Sequence, residues 1–400
     1  MRERSLHEIL TPERDTVPLE PETSYATAGI FSYGRGLFAR PVVKGSETSY
    51  ASYYRLRQGQ FVYSKLFAWE GALAIVDERF DGLFVSQEFP TFSIDGRRAI
   101  PRYIALLCSW PETWARVRAG ESGMGGRRKR VHPERLLDVM LPFPPIPEQL
   151  RIVDLIGVLD VVAHRSRDLL QAARSALEVL VTDWQLLHND VVARLGDLAD
   201  LGSGPSWRAA NERLAPEPGD IRVLGIMNTP SARAIDLGDA KFVGELPPTT
   251  RLLAAGSLLM IRTNGNRSRI GNVYRVPPDA YGCAFSAFQI GIHMREPQDA
   301  DFVYWMLRSP EAQKAITENA SGTTGLGNIA VRWLKDLEIP WPSLAERTAG
   351  VDLLDSVEDV ATKADLECQA ISAVRTALLD SLLSGKRRIP DAYDTVASLI

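Results

Sequence analysis

Residues 141–160 read LPFPPIPEQLRIVDLIGVLD, and residues 339–359 read IPWPSLAERTAGVDLLDSVED. Both leave a short apolar stretch, turn through prolines and enter a long run of helical periodicity. This repeat constrains the fold more than any other feature, because a duplicated exit implies a duplicated module in front of it. Glu148 and Glu346 stand 198 residues apart (346 − 148), and the same offset carries Leu136 onto Leu334, Asp138 onto Asp336 and Pro142 onto Pro340. Upstream the echo loosens, with Tyr103 matching Tyr304 at an offset of 201, as loops of unequal length require. Earlier still, residues 56–94 correspond in pattern to 253–292. Both stretches are rich in β-branched and aromatic residues and broken by glycine, as short strands are. Two copies are too few for a solenoid, so two related domains are expected.

The segments after the proline turns carry the clearest periodicity. Ile152, Leu159, Ser166, Ala173 and Leu180 recur every seven residues, interleaved with Ile156, Ala163, Leu170, Leu177 and Trp184. Shifting by 198 gives Gly350, Val357, Ala364, Ile371 and Leu378, interleaved with Leu354, Ala361, Cys368, Arg375 and Leu382. A mostly apolar seam sustained over nearly five heptads seeks a partner helix, and two such helices in one chain can supply each other's. At about 1.5 Å per residue, such helices span roughly 50–60 Å. The expected architecture is α+β. Two mixed α/β modules, 1–147 and 191–342, are each followed by a long helix, 148–190 and 343–385, with a tail at 386–400.

Composition places the chain among ordinary globular proteins, at 45% hydrophobic and 24% charged residues. No apolar run reaches the roughly 18 residues of a membrane span, and the start MRERSLHEIL lacks the apolar core of a secretory signal. Cys108, Cys283 and Cys368 are odd in number and far apart, which points to a reducing cytoplasm rather than a disulfide framework. A net charge of −4 argues against a surface that binds polyanions everywhere, while leaving room for local basic patches.

Catalytic signatures are missing. His7, His132, His164, His188 and His293 show no metal-like spacing with one another or with a cysteine. SGKRR at 384–388 lacks the flanking residues of a P-loop, and neither GMGG at 123–126 nor GTTGLG at 322–327 completes a dinucleotide fingerprint. There is no G-x-S-x-G elbow and no Asn-Pro-Pro-aromatic motif. The chain reads as a binding protein.

The candidate binding groups sit in loops. In the first copy Gly123, Gly125 and Gly126 precede Arg127, Arg128, Lys129 and Arg130, a run able to neutralise phosphates. The matching loop of the second copy holds Thr323, Thr324 and Asn328, which can bond phosphate oxygens or base edges. Lys65 and Arg262 occupy similar places in the two copies. Arg262, Asn264, Asn266, Arg267 and Arg269 cluster around Gly265, and Arg and Asn match the guanine and adenine edges respectively. Tyr33, Arg35 and Arg40 lie on another glycine-rich turn. These groups, repeated in both halves, point to DNA.

The order GRGLFAR, LRQGQFVYSKLFAWEGALAIV, DGLFVSQEFPTF and VHPERLLDVMLPFPPIPEQ, followed by a second copy ending in IPWPSLAER, resembles the specificity (S) subunits of type I restriction–modification systems. The resemblance covers nearly the whole chain. It implies two target-recognition domains, each reading half of a bipartite, asymmetric DNA site, joined by two long helices that pair as an antiparallel coiled coil and fix the spacer. It implies no catalysis and no cofactor in this chain. Two modification (methyltransferase) subunits would methylate adenine with S-adenosylmethionine, and restriction (translocase/nuclease) subunits would use ATP and Mg. The Lys65, Arg127–Arg130 and Arg262–Arg269 groups would face double-stranded DNA. Docking of partners is expected around Glu148, Gln149, Glu346 and Arg347. Arg347 stands where the first copy has Gln149, so the second docking surface is expected to differ. A non-catalytic adaptor that scaffolds other proteins through its helices, without reading DNA, is the alternative.

Overall fold

The computed structural model describes residues 2–119, 130–188, 190–230, 234–320, 327–390 and 393. The chain divides into two compact units, one of Met1–Ser166 with Glu367–Ile400 and one of Arg167–Leu366. Each is mixed α+β.

In unit 1 the strands are β1 (Glu3–Ser5), β2 (Leu10–Pro12), β3 (Phe61–Tyr63), β4 (Leu73–Ile75) and β5 (Thr91–Ile94). The last four form an antiparallel sheet in the order β4-β3-β5-β2. Successive strand side chains point to opposite faces, so β3 feeds two cores. Phe61 and Tyr63 join Tyr103, Ile104 and Leu107 of helix α1 (Pro101–Ser109), while Val62 joins Leu56, Val76 and Val85 on the other side. Helix α2 (Pro111–Ala119) follows, and β6 (Met140–Pro142) returns to pair with β1, Glu3 opposite Pro142 and Ser5 opposite Met140. The prolines that end β6 cannot extend a sheet, and the chain leaves into helix α3 (Ile146–Leu187), 42 residues long.

Unit 2 repeats this plan. Its strands are β7 (Val192–Arg194), β8 (Ala199–Ser203), β9 (Ser257–Ile261), β10 (Val273–Arg275) and β11 (Gln289–Met294), with a sheet in the order β10-β9-β11-β8. Leu258 and Met260 face helix α4 (Ala300–Leu307), whereas Leu259 and Ile261 face the opposite cluster. Helix α5 (Pro310–Asn319) and strand β12 (Glu338–Pro340) follow. Strand β12 pairs with β7 in the register of its counterpart, Val192 opposite Pro340 and Arg194 opposite Glu338. Helix α6 (Leu344–Leu383) then runs for 40 residues.

The copies part company in their second sheets. In unit 1, Ser52–Arg55 lies between Phe84–Val85 and Asp15–Pro18, all antiparallel. In unit 2, Ile221–Leu224 pairs antiparallel with Lys241–Val243 but parallel with Ala284–Phe285. Phe84–Val85 and Ala284–Phe285 belong to the echoing stretches, whereas their partner strands come from segments, 15–55 and 204–252, between which the sequence shows no echo.

Along both long helices, each of the heptad positions named from sequence is buried or half-buried. Leu169, Val179, Val360 and Val374, off that seam, are exposed. Within unit 1, Arg375 of α6 reaches Asp160 of α3, with Nη2 3.2 Å from Oδ2. Within unit 2, Arg174 pairs with Asp365 at 3.8 Å, and Trp184 packs over Gly350 so closely that a Cβ there would meet Trp184 Cζ2 at 2.6 Å. Among the described residues no helix is long and apolar enough to cross a membrane, and no group of three or more His, Cys, Asp or Glu could hold a metal ion.

Candidate nucleic-acid interface

In unit 1 Lys65 and the end of the basic run come together where β3 ends. Lys65 follows that strand, and its backbone is held from two sides: its N–H donates to Glu88 O (2.9 Å), and its carbonyl accepts from Val131 N–H (2.8 Å). The buried Tyr63 hydroxyl donates to Val131 O (2.9 Å), and burial pushes that phenol's pKa up. The end of the basic run is thus tied to the end of β3. Arg130, half exposed, pairs with Glu88 at 3.3 Å. Arg127, Arg128 and Lys129 lie outside the described residues.

The turn bearing Tyr33 and Arg35 docks onto the segment just beyond Lys65, with Tyr33 N–H donating to Glu70 O (2.8 Å). Arg35 stacks over Phe31, 4.8 Å from the ring centre, and Arg40 is exposed at the far end of the same hairpin. Arg118, which sequence reasoning did not single out, joins this group through Nη2 to Trp69 O (3.2 Å). Its signal was weak because it reads as one more charge on an exposed helix end.

In unit 2 Arg262 takes the place of Lys65. Its N–H donates to Phe288 O (2.9 Å), and its carbonyl accepts from Ile329 N–H (3.1 Å). Lys65 and Arg262 therefore share one backbone pattern at the end of equivalent strands. Their side chains differ in use. Arg262 is half-buried, with Nε on Ile329 O (3.3 Å) and Nη1 near Ala287 O (3.4 Å), so much of its bonding capacity stays inside the fold. Thr263–Asn264 pairs with Gly327–Asn328, and the Thr263 hydroxyl donates to Asn328 Oδ1 (2.8 Å). Thr323 and Thr324 lie outside the described residues.

Several members of the Arg262–Arg269 set build the turn itself. Asn264 Oδ1 accepts from Asn266 N–H (2.8 Å), and Asn266 Oδ1 accepts from Ser268 N–H (3.1 Å), the usual self-bonding of short amide side chains at turns. Arg269 is half-buried and donates to the carbonyls of Ile226 and Thr229. Asn266 and Arg267 are the exposed ones. Phe288, 52% exposed beside Arg262, is an additional candidate that its isolated place in the sequence did not reveal.

The expected partner-docking residues are mostly engaged within their own units. Gln149 is completely buried: Nε2 donates to Arg98 O and Pro144 O (2.8 Å each), and Oε1 accepts from Ile100 N–H (3.1 Å). Arg347 performs the same task in unit 2, with Nη1 on Pro342 O (2.6 Å), Nη2 on Asp299 Oδ1 (2.8 Å) and the guanidinium over the Trp341 ring at 4.1 Å. Both side chains satisfy polar groups where the helix leaves its unit, and little of either is left exposed. Glu346 is exposed but caps helix α6, accepting from the Ser343 hydroxyl (2.6 Å) and N–H (2.9 Å); those bonds lower its pKa. Glu148 is half-buried at the equivalent turn.

No family model and no curated protein matches the sequence. Solved structures do resemble it. An S subunit of a type I restriction–modification system from M. genitalium aligns at 14% identity and a TM-score of 0.59, over 96% of both chains. A chain from work on complex assembly and conformational transition of the type I R-M system aligns at 16% identity and a TM-score of 0.56, over 96% of this chain and 97% of that one. The HsdS subunit from Thermoanaerobacter tengcongensis aligns at 16% identity and a TM-score of 0.47, over the same shares. The duplicated α+β units and their long helices therefore give this chain, over nearly its whole length, the fold of a type I restriction–modification S subunit.

Proposed function

We propose that this chain is the DNA sequence-recognition subunit of a type I restriction–modification complex. Each unit reads one half of a bipartite, asymmetric site, and helices α3 and α6 pair as an antiparallel coiled coil that sets the unspecified spacer. The observation that carries this reading is the shared strand end. Lys65 and Arg262 have the same backbone bonds at the end of equivalent strands, yet the side chains around them differ. A common scaffold with unlike surface groups is what two different half-sites require, since scaffold fixes position and exposed groups select bases.

On this reading the chemistry belongs to partners. Two modification subunits methylate adenine with S-adenosylmethionine, and restriction subunits use ATP and Mg. Gln149 is buried and Arg347 largely so, which supports a partner surface on the exposed sides of the helices instead. Methylome sequencing of strains with and without the chain tests the assignment. Loss of one bipartite methylation motif is expected on deletion. An unchanged methylome in the presence of an active partner methyltransferase would sink it, and so would gel shifts with that partner showing no sequence preference, the outcome an adaptor gives.

A further inference from the structure

The turn from Phe31 to Gly36 holds a backbone outlier. Phe31 N–H donates to Gly36 O (2.9 Å), closing a hairpin whose tip carries Tyr33 at φ 64° and Gly34 at φ 63°. Left-handed backbone suits glycine, whereas a tyrosine there is strained and persists only where its surroundings impose it. They do. Tyr33 N–H is held by Glu70 O and Gly34 N–H by Gly71 O (2.9 Å). Gly34 also lies so close to the α1–α2 junction that a Cβ would stand 2.5 Å from Ser109 Cα and 2.6 Å from Cys108 O.

Packing does not explain this clamp, because the Tyr33 side chain stays 59% exposed. The ring meets the Trp114 ring edge-on, with centroids 5.9 Å apart. Arg35 lies two residues away, and Arg118 is bonded to Trp69 O, next to the carbonyl that holds Tyr33. An aromatic ring held out into solvent, on a turn that also carries the exposed Arg35 and docks beside the residue that Arg118 bonds, suits a nucleobase, with the π-face for stacking and the cations for flanking phosphates. Among the described residues of unit 2, the one non-glycine at positive φ is Glu245, a carboxylate that cannot stack.

Resting on the DNA-reading assignment, we propose that Tyr33 enters the base stack of the half-site read by unit 1, opens one base step there, and is a specificity-determining residue without a counterpart in the other half-site. The test uses the full chain with its modification subunit, bound to duplexes carrying the methylation motif. A fluorescent base analogue replaces one base at a time, 2-aminopurine for adenine and pyrrolocytosine for cytosine, at every position except the adenines that are methylated, which the modification subunit flips out by itself. Such analogues brighten when unstacked. Wild type should brighten one step in one half-site, and Tyr33→Phe should keep the signal. Tyr33→Ala should lose it and weaken binding about 5- to 150-fold. Tyr33→Gly relaxes the backbone, so its urea midpoint should hold or rise while the brightening disappears.

Motif binding by wild type with no brightened step overturns the Tyr33 proposal and leaves DNA reading intact. Brightening that survives in both Tyr33→Ala and Tyr33→Gly does the same. Binding without any sequence preference overturns the DNA-reading assignment, and the Tyr33 proposal with it.

Discussion

Gln149 and Arg347 show how one structural task can be met with different chemistry. Each ties the start of a long helix to the carbonyl five residues earlier, Pro144 or Pro342, and to the segment before the first helix of its module. The Arg347 version is ionic and nearly sealed, with the two side chains 11% and 8% exposed. Arg347→Ala should therefore leave Asp299 buried and uncompensated, at a cost of about 3–5 kcal/mol in urea unfolding. Gln149→Leu keeps the volume but strands several backbone groups, for about 1–3 kcal/mol. His293 gives a pH effect. Burial, aided by the Arg251 charge and opposed by Asp200, lowers its pKa, and Nδ1 lies 2.9 Å from the Ser257 hydroxyl. The unfolded state then takes up a proton first, so stability is full above about pH 6.5 and falls as the pH drops from there toward the folded pKa. His293→Gln should flatten that part of the pH–stability curve.

At the scale of elements, the long helices were legible because seven-residue periodicity survives substitution: Ser166 and Cys368 occupy the seam beside leucines. Strands β1 and β7 were not legible. Three residues, ERS or VAR, carry no alternation, and their place is set by pairing with β6 or β12 more than a hundred residues later. The site was partly legible. Lys65 and Arg262 align in sequence and in backbone bonding. Sequence could not show that Arg262 and Arg269 spend donors on nearby carbonyls, because turn composition does not say which polar groups the backbone absorbs. The helices carry their own prediction. Removing one matched heptad from the middle of each shortens each helix by about 10 Å, close to the rise of about three base pairs. Methylome sequencing should then show both half-sites unchanged and the spacer altered; an unaltered spacer would end the ruler idea.

At the scale of the molecule, a net charge of −4 means that the proposed DNA reading must draw its affinity from local cations working against an unfavourable mean field. Neutralising Arg127, Arg128, Lys129 and Arg130 together should reduce the slope of log affinity against log salt by about 0.9 for each phosphate they neutralise in the wild type. An unchanged slope would make that run a plain solvated surface. The two units share one sheet order but differ in their second sheets.

The helix-start anchors also decide where a unit may be grafted. Gln149 and Arg347 lie inside their helices yet bond backward to their own modules. A chimera joined at the proline turn would separate an amide anchor from the carbonyls it was shaped for, or place a guanidinium where no carboxylate waits. Cut a turn or two into the helix, the transplanted unit takes its anchor with it, and the exposed remainder of the recipient's helix is left as it was.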